Sequence, residues 1–169
     1  MRTGNALAAA IGLATCVAAL APAARAHGDA QHASAPRELS TELHPWGVEG
    51  DPKRATRVIE IAMGDDMRYS HGEIRVVQGE TVTFVIRNRG RLLHELVIGT
   101  PEELQRHAEL MRKHPGMEHD EPYMAHVKPG GEGRLTWRFT TAGTFEYGCL
   151  VAGHYEAGMK GAIVVTARD

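Results

Sequence analysis

Cys149, His154 and Met159 stand at intervals of five, each directly after a glycine (Gly148, Gly153, Gly158). Thiolate, imidazole and thioether are the soft-to-borderline donors that copper favours. Two histidines and a cysteine around one ion, with a long methionine bond, describe an electron-transfer copper site. The run from Gly143 to Gly161 supplies three of those four donors. The second histidine has to come from a distant part of the chain. His94 suits this role because it opens an apolar strand, Leu93 to Gly99, well separated in sequence. Zinc fits less well, because a thioether is a poor zinc ligand and copper stands above zinc in the order of intrinsic affinities. Taken singly, Cys149 reads as a core thiol, and His154 and Met159 as loop and packing residues.

Such donors need a scaffold, and the chain shows one in its alternations. Period-two patterns mark half-buried strands at residues 57–63, 73–77, 81–88, 93–99, 133–140, 143–149 and 161–167. Thr100-Pro101-Glu102-Glu103 starts one helix, with Thr as N-cap, Pro in the first turn and Glu closing a capping box. Leu104, Ala108 and Met111 form its apolar face, and Pro115-Gly116 stops it. Short strands between glycine turns, with one inserted helix, predict an all-β, antiparallel Greek-key β-sandwich.

Bulk properties narrow the setting. The chain has 169 residues, enough for one domain with a sizeable core. Residues 1–26 have a basic start at Arg2, an apolar run from Ala6 to Leu20 and Ala24-Arg25-Ala26, the pattern of a cleavable secretory signal. A rival reading takes Cys16 as a lipidated cysteine, but the apolar run continues past it. Loss of Arg2 and Arg25 leaves 17 basic against 21 acidic side chains, or −4 with histidine neutral. That charge argues against nucleic-acid binding, which wants a basic stripe. No membrane span follows the signal, so a periplasmic monomer is the expectation. Cys149 is then the lone cysteine of the exported chain, and metal ligation would protect it in an oxidising compartment. Residues 27–53 show no periodicity and read as a flexible arm, with the folded domain at 54–169.

The Cys-x4-His-x4-Met loop, the distant His94 and Gln78-Gly79-Glu80-Thr81-Val82 before a strand resemble the cupredoxin family. Met63-Gly64-Asp65-Asp66-Met67-Arg68-Tyr69, His94-Glu95-Leu96-Val97-Ile98-Gly99 and Gly153-His154-Tyr155-Glu156-Ala157-Gly158-Met159 are similar to the small exported cupredoxins of bacterial copper tolerance, the CopI type. The likeness covers about residues 54–167. It implies copper, as Cu2+ and Cu+, at His94, Cys149, His154 and Met159. Plastocyanin-like members usually have Asn after the first ligand histidine, where this chain has Glu95, and Pro in the ligand loop, where it has Val151-Ala152. His71 stands where related sequences often have Pro.

Further histidines and methionines raise the question of auxiliary copper. His107, Met111 and His114 fall on one side of the helix, followed by Met117, His119, Met124 and His126. Thioethers favour Cu(I) and imidazoles take either state; solvated histidines over a packed Met111 account for the same pattern. His27, His32 and His44 offer a second cluster and a disordered arm offers the plain explanation. Met63, Met67 and His71 form a third, which strand-edge packing explains equally well.

Two functions follow. A copper-tolerance protein would bind, oxidise or hand over copper, and has use for auxiliary sites. A one-electron carrier serving a respiratory or oxidase partner needs only the main site. The surplus donors and the resemblance favour tolerance, with copper ions and an unidentified redox or copper-transfer protein as partners. Enzymatic readings fail on the residues: no His-x-His pair exists for a multicopper oxidase, and Cys149 has no triad around it.

Overall fold

The computed structural model describes residues 37–115, 117 and 120–169. In chain order its strands are Val48–Glu49 (β1), Arg57–Gly64 (β2), Arg68–Tyr69 (β3), Glu73–Val77 (β4), Thr81–Asn88 (β5), His94–Gly99 (β6), Met124–Val127 (β7), Glu132–Arg138 (β8), Gly143–Gly148 (β9) and Lys160–Thr166 (β10). One helix, Pro101–Lys113 (α1), lies between β6 and β7. The strands form two five-stranded sheets, β1-β8-β5-β2-β3 and β4-β10-β9-β6-β7. This is the expected Greek-key sandwich, with one correction: β2 pairs with β5, and β4 with β10, in parallel. The cause is topological. β4 leaves the first sheet for the second, so β2 and β5 meet across a crossover rather than a hairpin.

Alternation does the packing. Val82, Phe84 and Ile86 of β5 face Leu96 and Ile98 of β6, Phe145 and Tyr147 of β9, and Ile163 and Val165 of β10 in one core. Each fully buried side chain of this size contributes about 1.5–3 kcal/mol. β6 is buried along its whole length, and α1 packs on part of its outer face. Val97 packs there with Leu104, Ala108 and Met111 of the helix. Thr100 caps α1 through the reciprocal box with Glu103, and Pro101 occupies the first turn.

The domain begins earlier than its expected start at residue 54. Trp46 is 3% exposed and belongs to the core. Trp137 Nε1–H donates to its carbonyl at 3.3 Å, and β1 pairs with β8. Residues 44–53 therefore belong to the sandwich rather than to an arm. A Cβ at Gly47 would lie 2.1 Å from the Arg138 carbonyl, so a glycine is what permits this approach. The short strands β1, β3 and β7 carry too few residues to show a period.

Candidate metal centre

The end of β9 lies beside the middle of β6 in the second sheet, with Gly148 opposite Val97. Cys149 follows β9 and His94 opens β6, so the register itself brings the thiol to the imidazole. Both are fully buried. Cys149 Sγ lies 3.9 Å from His94 Nδ1 and 3.3 Å from His154 Nδ1. The two rings tilt at 49° with centroids 5.0 Å apart. Ligand atoms of His94, Cys149 and His154 all fall within 4.8 Å of one another.

Backbone hydrogen bonds join the loop residues directly. Cys149 N–H donates to the Met159 carbonyl at 3.0 Å, and Met159 N–H donates to the His154 carbonyl at 3.0 Å. Met159 is fully buried in the same core as Cys149, while His154 is half-buried. The three glycines serve different needs. Gly153 and Gly158 hold φ of +88° and +92°, which L side chains adopt at a cost. Gly148 leaves room for the Tyr155 ring, which a Cβ would meet at 2.8 Å. Tyr155 O–H donates to Glu146 Oε2 at 2.6 Å, and Arg68 Nη1–H donates to the Ala157 carbonyl at 2.9 Å. The loop is thus tied to its own sheet and to β3.

Two carboxylates that the motif does not include orient these groups. Asp65 Oδ1 sits 3.1 Å from His94 Nε2, which leaves Nδ1 as the nitrogen facing the sulfur. Asp65 also accepts from the N–H groups of Arg91, at 2.8 Å, and Leu92, at 3.2 Å. These bonds, that from Arg91 above all, hold its carboxyl below the usual carboxylate range. A Cβ at Gly90 would sit 2.0 Å from Asp65 Oδ1. Glu95 is 1% exposed, and its Oε1 accepts from Leu150 N–H at 2.8 Å. Its own N–H donates to Cys149 Sγ at 3.4 Å. Glu95 was visible as a charge within an apolar strand. The pairing of Asp65 with His94 spans 29 residues and had no local signal.

Burial pushes the Cys149 thiol up to about 12, against the lowering effect of the Glu95 N–H. Burial also lowers His154, as does neighbouring His94. A buried sulfur beside two imidazole nitrogens keeps its proton until a cation displaces it. Two nitrogens, one sulfur and an adjacent buried thioether make a donor set that fits copper.

The other histidines and methionines are placed differently. His27, His32 and His119 lie outside the described residues. His44 stacks on Trp46 with centroids 4.9 Å apart. Met111 and Met124 are buried, at 7% and 4% exposure, in the apolar layer beneath α1. His107 lines a groove with His44 and Tyr123; His114 and Met117 are exposed. His126 Nδ1 lies 2.8 Å from Glu95 Oε2. Met63 is a core residue and Met67 packs against the core, while exposed His71 Nδ1 contacts Ser70 Oγ at 2.9 Å. Among the described residues, no other group of three His, Cys, Asp or Glu side chains converges as a metal site.

Known proteins match this arrangement. The sequence pattern of copper binding proteins of the plastocyanin/azurin family matches residues 55–166. A copper-resistant cuproprotein CopI of Rubrivivax gelatinosus is 44% identical over 154 residues, covering 89% of this chain and 93% of that protein. A protein of the same name from Pseudomonas aeruginosa is 34% identical over 149 residues, covering 71% and 82%. Among solved structures, auracyanin A of Chloroflexus aurantiacus, described as a "blue" copper protein, superposes with a TM-score of 0.54 at 26% identity, covering 64% of this chain and 98% of that one. Fold, donor set and kinship agree: this chain belongs to the cupredoxins, the plastocyanin/azurin family of copper-binding proteins.

Proposed function

We propose that His94 Nδ1, Cys149 Sγ and His154 Nδ1 bind one copper ion, with the Met159 thioether as a weaker fourth ligand, and that the protein serves copper tolerance in the periplasm. The observation that carries the ligand reading is the convergence of the three donors within 4.8 Å. Copper, when bound, supplies a centre that gains or loses one electron. The protein's part is to hold and shield. Asp65 fixes the His94 ring, and the core closes over His94, Cys149 and Met159. Half-buried His154 gives the site its reach toward the surface.

The tolerance role is supported by relatives named copper-resistant cuproproteins. Export by residues 1–26 places the protein where excess copper would be met. Among the described residues, no helix is long and apolar enough to cross a membrane. A monomer without enzymatic activity, handing copper or an electron to a protein partner, fits this role. The second reading, a one-electron carrier, is supported by the likeness to auracyanin A.

Growth of a deletion strain across copper concentrations separates the two. Copper sensitivity with normal respiration is the expected result. Respiratory loss at trace copper, with tolerance unchanged, would replace tolerance with electron transfer.

A further inference from the structure

Among the described residues, Met67 is the one non-glycine with a left-handed backbone, at φ +58°. Such a conformation is costly outside glycine and persists where the surroundings over-determine it. Met67 lies in the turn from Gly64 to Arg68 between β2 and β3, closed by its N–H to the Gly64 carbonyl at 3.1 Å. Side chains of this turn reach two separate parts of the copper centre. Asp65 meets His94 Nε2 at 3.1 Å. Arg68, three residues on, donates from Nη1 to the Ala157 carbonyl at 2.9 Å and to the Met67 carbonyl at 2.7 Å. The guanidinium is thus braced on the strained residue itself. Gly158 gives it room, because a Cβ there would stand 3.2 Å from Arg68 Nη1. The other ties of this loop stay within it or within the second sheet. Met159 bonds to Cys149 and His154, and Leu150 and Tyr155 bond to Glu95 and Glu146. Among the described residues, Arg68 makes the only hydrogen bond that reaches residues 150–158 from the first sheet.

We propose that Arg68 is a positioning residue for the copper centre: it latches the methionine end of the ligand loop to the first sheet, and this latch sets how readily the loop opens to release the ion. The proposal rests on the ligand reading above. Arg68 pins the Ala157 carbonyl, two residues before Met159, so the turn from Gly153 to Gly158 cannot swing away from β3 without breaking that bond. The thioether is the weak ligand, and its distance responds to small movements of the backbone that carries it. The axial ligand tunes such a centre, so a loosened latch alters the thiolate-to-copper bands. The planar fork of an arginine suits two carbonyls at once, which a lysine ammonium on a flexible stem does not match. The left-handed turn at Met67 is then the part of the fold that aims Arg68 at the loop while Asp65 faces His94.

The test compares Arg68→Ala, Arg68→Lys and a control, Arg57→Ala, in the full chain. Arg57 is also an exposed arginine of the first sheet that donates to a carbonyl of the second, that of Arg75 at 2.6 Å, but it starts β2 at the end far from the turn. Copper-loaded Arg68→Ala is expected to show altered relative intensities of the thiolate-to-copper bands. It should also give up copper to an excess of chelator about two- to tenfold faster, the factor one such bond is worth. In copper-free protein the Met159 amide should exchange faster by a similar factor, about two- to tenfold, because the loop opens more easily. Arg68→Lys should fall between parent and alanine, and Arg57→Ala should match the parent in all three readouts. Parent bands and parent release rate in Arg68→Ala overturn the proposal, whatever its melting temperature. Equal changes in Arg57→Ala overturn it too, since general loss of stability would then explain them. Should Arg68→Ala fail to fold, Arg68→Lys decides: faster release supports the latch, and the parent's rate overturns it. The ligand reading fails separately, through a Cys149→Ser protein that keeps its bands.

Discussion

His94 is held from both sides of its ring: Nε2 lies 3.1 Å from the Asp65 carboxylate and Nδ1 faces the Cys149 sulfur at 3.9 Å. The carboxylate fixes ring orientation and leaves Nδ1 as the nitrogen for the proposed copper site. Outer partners of this kind typically change metal affinity about 10–100-fold. Asp65→Ala should therefore weaken copper binding by about that factor, measured by competition with a chelator of known affinity. Unchanged affinity would show that β6 orients His94 without help.

The glycines at and within the loop from Cys149 to Met159 should fail for different reasons. At Gly153 nothing lies within 4 Å of an added Cβ, but φ is +88°. Gly153→Ala should cost about 1–2 kcal/mol through the backbone alone. At Gly148 the conflict is with the Tyr155 ring at 2.8 Å, an overpacking cost of about 1–3 kcal/mol. Denaturant unfolding measures both. Truncating Tyr155 to Ala should relieve the Gly148→Ala defect and leave that of Gly153→Ala untouched.

Copper-free protein should lose stability as the medium becomes alkaline. Burial pushes the Cys149 thiol up to about 12, while the unfolded thiol titrates near its ordinary value of about 8.5. Below that value both states hold the proton and Cys149 contributes no pH dependence. Above it the unfolded state loses a proton that the folded state keeps, so stability falls by up to about 1.4 kcal/mol per pH unit. Melting temperatures between about pH 8 and 9.5 should decline more steeply in the parent than in Cys149→Ser. Parallel declines would contradict the raised thiol.

Much of this protein was legible before its structure. Thr100 and Glu103 cap the helix as their spacing requires, and Leu104, Ala108 and Met111 face inward. Local patterns encode local structure. The distant pairings were not legible, because nothing near Asp65 points to His94. Nor does anything near Trp46 announce that it packs against Trp137, whose Nε1–H its carbonyl accepts. Donor chemistry alone also left the methionines ambiguous. Burial places Met111 and Met124 in the apolar layer under α1, while His126 meets Glu95 at 2.8 Å.

The most direct measurement is the absorption spectrum of copper-loaded Cys149→Ser beside the parent. The parent should show an intense thiolate-to-copper band, and the serine protein, which has no thiolate, should lack it while remaining folded. A serine protein that keeps the band would contradict Cys149 as ligand, and with it the copper centre built from His94, His154 and Met159.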